Sequence, residues 1–166
     1  MHLLKHVVLY SILAAWLVFG LGRAPAQDKF AAINKAELEK CLAKLPAETR
    51  HEFIMMPLRD GVKLATDIFR PPQGDGPWPI MLLRTPYSRF DPRPLQEMDK
   101  EPCVLVCQNQ RGRYGSEGTP PKDSFANEVE DSHDAIEWCA KQKWCNGKVA
   151  MWGPSGHGIS PSNAVW

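Results

Sequence analysis

Lys148-Val149-Ala150-Met151-Trp152-Gly153-Pro154-Ser155-Gly156-His157-Gly158 is the stretch on which the reading of this chain turns. A short apolar run ends in glycine, and a serine follows two residues later among further glycines. This is the pattern of a nucleophile elbow, a sharp strand-to-helix turn that lifts a serine hydroxyl out of a sheet. The strained backbone of such a turn requires small neighbours. Gly153 and Gly156 supply them, because glycine takes unusual dihedrals without a Cβ penalty. His157 does not fit the commonest form of the motif, G-x-S-x-G. Glycine and serine also cluster in ordinary surface turns, so the spacing alone leaves both readings open.

Working outward, Asn146-Gly147 precedes the run as a stop for a helix that Asn127 and Glu130 open as an N-cap and N3 pair. Helical spacing puts Val129, His133, Ile136 and Ala140 on one face, predicted to pack on a sheet. Four further extended segments come earlier. His51 to Pro57 and Lys63 to Arg70 flank Arg59-Asp60-Gly61, a hairpin turn signal. Trp78 to Thr85 and Pro102 to Gln108 have continuous apolar centres, as expected of strands covered on both faces. Between Gln108 and the helix, Arg111-Gly112-Arg113-Tyr114-Gly115-Ser116-Glu117-Gly118 is a long structured loop. A hairpin followed by crossover-joined strands, with the serine turn after the fifth, is the order of an α/β-hydrolase sheet. The predicted fold is therefore α/β: the N-terminal half of such a sheet, with an antiparallel hairpin, then parallel strands, cut just after the elbow.

The N-terminus reads as export. Lys5 precedes an apolar run from Val7 to Phe19, and Ala24-Pro25-Ala26 is an A-x-A cleavage signature. The run is short for a membrane span, so a signal peptide over 1–26 is favoured over an uncleaved anchor. The expected location is secreted or periplasmic, without stable membrane association after cleavage. Removal of Lys5 and Arg23 would leave 18 basic residues against 19 acidic ones. That balance gives no electrostatic case for nucleic acid. Residues 27–50 form a lead-in whose helix, capped by Asn34 and ended by Pro46, carries Leu38, Cys41, Leu42 and Leu45. The catalytic portion then spans 51–166.

Five cysteines, an odd number, leave at least one unpaired within the chain. Cys103 and Cys107 lie about 13 Å apart along a strand and cannot bond to each other. Cysteines acting as small buried hydrophobes fit best. No C-x-x-C or paired-histidine spacing appears, so no metal and no cofactor is assigned.

Several segments together resemble the cocaine esterase and X-prolyl dipeptidyl peptidase-like (CocE/NonD) hydrolases. They are Met56-Pro57-Leu58-Arg59-Asp60-Gly61-Val62-Lys63-Leu64-Ala65-Thr66-Asp67, Arg84-Thr85-Pro86-Tyr87, Gln108 through Gly118, and Asp134-Ala135-Ile136-Glu137-Trp138 with Asn146-Gly147-Lys148-Val149. The Arg-Gly-Arg-Tyr loop leans toward the α-amino acid ester hydrolase and glutaryl cephalosporin acylase branch. The resemblance implies Ser155 as the acyl-forming nucleophile. It implies Tyr87 as an oxyanion-hole donor through its phenol, and the backbone N–H of Gly156 as a second donor. It also implies a small ester, amide or peptide substrate. The family motif reads G-x-S-Y-x-G, so Gly156 stands where tyrosine is usual; a backbone N–H survives that change, whereas a ring contact does not.

In this fold the acid and the histidine follow the serine, and eleven residues follow Ser155 here. Pro161 would also break the helix leaving the elbow. These features predict an inactive N-terminal fragment of a serine hydrolase. The alternatives are a non-catalytic secreted remnant, or a chain completed by a second one. His157 leaves the turn in the wrong direction to act as base, and His133 reads as a structural histidine. Arg111, Arg113 and Glu117 could bind substrate, but ion pairs ordering their loop, with Asp131 or Asp134, are the simpler reading. Trp138, Trp144 and Trp152 read as core, and Asp60-Gly61 as turn chemistry.

Overall fold

A computed structural model describes residues 35–90, 102–120 and 127–153. The strands are β1 (Arg50–Pro57), β2 (Lys63–Arg70), β3 (Trp78–Thr85), β4 (Val104–Asn109) and β5 (Cys145–Met151). Residues 35–42 are helical (α1), and Glu128–Ala140 form α2. The strands make one five-stranded sheet in the order β1-β2-β4-β3-β5. β1 with β2 and β2 with β4 are antiparallel; β4 with β3 and β3 with β5 are parallel. The sheet is thus the mixed α/β arrangement that the sequence order predicts. The signal segment, the Asn34 cap, Ser155, Gly156, His157 and the Pro161 helix break lie outside the described residues.

The Arg59-Asp60-Gly61 turn closes the hairpin as its chemistry requires. Asp60 accepts the Val62 N–H, and Gly61 takes φ 87°, open to glycine without strain. All six residues of β4 are buried, because helices cover both sheet faces. On one face Leu64, Ile68, Ile80, Leu82, Val104 and Val106 pack with Ala135 and Cys139 of α2. On the other, Phe69, Leu83, Leu105 and Cys107 pack with Cys41 and Leu45, at the end of the α1 segment. Each fully buried aliphatic side chain contributes about 1.5–3 kcal/mol, so the central strands anchor the domain. Cys145 is half-exposed, and Cys41, Cys103, Cys107 and Cys139 are buried.

Helix α2 differs from its expected form in two ways. Asn127 adopts the left-handed conformation, φ 69°, and makes no side-chain capping bond. The buried face is Glu128, Asp131, Ser132, Ala135 and Cys139, whereas Val129 is 40% exposed and the His133 side chain is 58% exposed. Apolar spacing failed because the sheet presents a buried arginine to the first turns, and carboxylates must meet it. Asn146-Gly147 also does not stop the helix, which ends at Ala140. The pair instead lies within β5, where Trp78 faces Cys145 but Ile80 already faces Val149, so two extra residues bulge out. Gly147 takes φ 84°, and the Asn146 side chain accepts the Lys148 N–H.

Candidate active site

Three parallel strands release their C-terminal ends at one edge of the sheet. Thr85 of β3 stands beside Asn109 of β4, and Met151 of β5 beside Leu82. The Trp152 N–H extends that pairing to the Leu82 carbonyl at 3.1 Å. β5 therefore delivers Gly153 to the edge from which Tyr87 leaves β3. Tyr87 is 53% exposed, and its backbone is fixed from both sides. Its N–H donates to Thr85 Oγ1 at 3.0 Å, and its carbonyl accepts Asn109 Nδ2 at 2.6 Å. Ser88 beside it donates to Glu37 Oε2 of α1 at 2.5 Å.

Arg89 ties this turn to the sheet and to the glycine-rich loop. Its Nε donates to Asp67 Oδ2, and its Nη1 to Asn109 Oδ1 at 2.8 Å and to the Tyr114 carbonyl at 3.1 Å. The guanidinium also lies over the rings of Phe53 and Phe90. Asp67 is completed by His51 Nε2 at 2.6 Å. Both Arg89 and Asp67 are almost fully buried, as a paired charge has to be.

The glycine-rich loop is ordered by its own turns and by the hairpin. Gly112 donates to the Glu117 carbonyl, and Glu117 bridges Lys63 with both its backbone N–H and its carboxylate. Gly112 sits at φ 69°, and a Cβ there would come within 2.3 Å of the Pro120 nitrogen, so glycine is required. Arg111 forks onto Asp131 at 2.7 and 3.1 Å and reaches Asp60 at 2.7 Å. The Asp131 hydrogen bonds, opposed by burial, hold the Arg111 guanidinium above its ordinary pKa. The expected loop-ordering ion pair is therefore present at Arg111, and Asp134 pairs instead with Arg59.

On the α2 face, Arg84 is completely buried at the end of β3. Its Nε donates to Gln108 Oε1 at 2.9 Å and its Nη1 to Ser132 Oγ at 2.6 Å. Glu128 lies 3.1 Å from Nη1, and Asp131 lies 3.9 Å from Nη2. Burial pulls the Arg84 pKa down, against the carboxylates of Glu128 and Asp131. Arg84, Arg89, Asp67 and Asn109 were not singled out as site residues from sequence. A charged residue ending the apolar run Ile80-Met81-Leu82-Leu83 was the available signal, since a covered strand cannot hold an unpaired charge.

His133 Nδ1 accepts from Arg59 Nη2 at 3.1 Å, on the exposed side of α2. His51 is engaged by Asp67. Each described histidine is thus committed to a partner within the fold.

The X-Pro dipeptidyl-peptidase (S15) family matches residues 60–165. Cocaine esterase of Rhodococcus sp. (strain MB1 Bresler) is 38% identical over 121 residues, which are 68% of this chain and 20% of that protein. Among solved structures, an α-amino acid ester hydrolase superposes with TM-score 0.60 at 30% identity, covering 74% of this chain and 24% of its own. An aminopeptidase from the marine-sediment archaeon Thaumarchaeota archaeon gives TM-score 0.59 at 29% identity, over 70% and 23%. The chain spans roughly a fifth to a quarter of the length of these relatives.

Proposed function

The chain belongs to the X-Pro dipeptidyl-peptidase (S15) family of hydrolases, and from that premise we propose that it carries the nucleophile and oxyanion half of a serine acyl hydrolase. Ser155 forms the acyl-enzyme with a small ester, amide or peptide. The Tyr87 hydroxyl and the Gly156 N–H stabilise the tetrahedral oxyanion, where preorganised donors act most strongly. The observation that carries this reading is the Tyr87 turn. Its backbone is fixed on Thr85 and Asn109 at the edge to which β5 leads, while the residue itself stays half exposed.

A serine hydroxyl needs a base to become a useful nucleophile. After Ser155 these 166 residues contain His157 and no carboxylate side chain, and His51 and His133 are held elsewhere. The isolated chain is therefore proposed to be catalytically silent. A fluorophosphonate probe on the purified chain tests this, with Ser155→Ala as control. No labelling of folded protein is expected; labelling that the alanine abolishes would overturn the silence and reveal a base within the chain. Export is proposed as well, and N-terminal sequencing of the mature protein should begin at Gln27. A sequence starting at Met1 would reject cleavage.

A further inference from the structure

We propose that Asn109 is the positioning residue that sets Tyr87 at the candidate site; this rests on the reading of Tyr87 as an oxyanion donor. Asn109 is completely buried at the C-terminal end of β4, and its amide is used in both directions. Nδ2 donates to the Tyr87 carbonyl at 2.6 Å and to the Thr85 carbonyl at 3.3 Å. Oδ1 accepts Arg89 Nη1 at 2.8 Å. Its backbone carbonyl accepts Ser116 Oγ at 2.9 Å, so the glycine-rich loop closes on the same residue.

No other side chain reaches all three neighbours at once among the described residues. The Arg89 guanidinium, which has donors only, is already committed to Asp67, Asn109 and the Tyr114 carbonyl and offers no acceptor. A carboxamide supplies the acceptor for the cation and the donor for the carbonyl in one planar group. Glu37 braces the adjacent Ser88 from α1. Asn109 thus ties the Tyr87 carbonyl to β4, while Thr85 holds its N–H from β3.

Asn109→Asp is the near-isosteric test. The carboxylate keeps its bond to Arg89 but turns an acceptor toward the Tyr87 carbonyl, so the turn should detach while the fold survives. The full chain is labelled with 3-fluorotyrosine and 5-fluorotryptophan, and the Tyr87 signal is assigned by Tyr87→Phe. The Tyr87 fluorine signal is expected to move to the free-tyrosine position, and the Tyr87 amide to exchange about tenfold faster. Trp138 and Trp144 pack against the opposite sheet face, and their signals should stay. An unmoved Tyr87 signal would overturn the proposal. So would movement of the tryptophan signals together with Tyr87, which would mark Asn109 as merely structural. If Asn109→Asp does not fold, Asn109→Ser, neutral and too short to span to Tyr87, carries the same outcomes. Failure here would leave the oxyanion reading intact, and that reading fails separately if Tyr87→Phe leaves turnover unchanged in a chain supplied with acid and histidine.

Discussion

Two arginines near the end of β3, five residues apart, are buried on opposite faces of the same sheet and do different work. Arg84 points into the α2 face and bonds to Gln108, Ser132 and Glu128. Arg89 lies on the α1 face and bonds to Asp67, Asn109 and the Tyr114 carbonyl. The first joins a helix to a sheet; the second joins two loops to a sheet. Burying a charge costs free energy in either place, and pairing offsets it. The difference lies in what is left movable. Arg84 fixes elements that already pack over an apolar core, whereas Arg89 and its neighbours fix a turn that meets the core through Phe90.

That contrast predicts unequal effects. Arg84→Met removes the buried cation beside Glu128, while Asp131 keeps Arg111, and should cost about 3–5 kcal/mol in urea unfolding, the range for removing one partner of a buried pair. Loss below about 1 kcal/mol would erase the distinction between the faces. Arg89→Met should cost less, about 2–3 kcal/mol, because His51 remains on Asp67 and part of the charge stays compensated. Its main effect should be faster amide exchange at 85–90 and 110–118, with β1–β4 protection kept.

A third prediction concerns the α2 face alone. Burial, with the nearby Cys145, pushes the Cys139 thiol up to about 12. A thiol raised on folding contributes stability that is complete below the unfolded value near 8.5 and lost as pH rises toward the folded one, at up to about 1.4 kcal/mol per pH unit. Urea midpoints should fall above about pH 8.5, and Cys139→Ala should remove most of that slope. The smallest effect belongs to the surface pair Arg59–Asp134. Burial raises the Asp134 carboxyl, and the Arg59 hydrogen bonds outweigh it, so its pKa ends below the usual carboxylate value. Its contribution is present above about pH 3.9 and disappears as pH falls through the lowered value. Arg59→Ala should flatten that acid limb with little change at neutral pH, as exposed pairs do.

The sheet was legible where chemistry is local. β2 and β3 fall on their predicted residues, because the Arg59-Asp60-Gly61 turn sets the start of β2 and β3 carries a continuous aliphatic run. The α2 face was not legible, since its inward residues are acidic and their partner, Arg84, is distant in sequence. Asn146-Gly147, read as a helix stop, instead lies inside β5, where its left-handed glycine serves a bulge. Spacing suggested the serine turn and the family resemblance pointed to Tyr87, while Ser155 itself lies outside the described residues. The shell holding Tyr87 was not legible, because Asp67, Arg89 and Asn109 meet only after three strands have been placed side by side.

The most direct measurement of the central claim joins these 166 residues to the C-terminal remainder of the Rhodococcus relative and follows hydrolysis of an aryl ester. The account predicts turnover that Ser155→Ala abolishes and Tyr87→Phe lowers about a hundred- to a thousandfold in kcat, as for loss of one oxyanion donor. Turnover indifferent to Ser155→Ala in a folded, active chimera would contradict it.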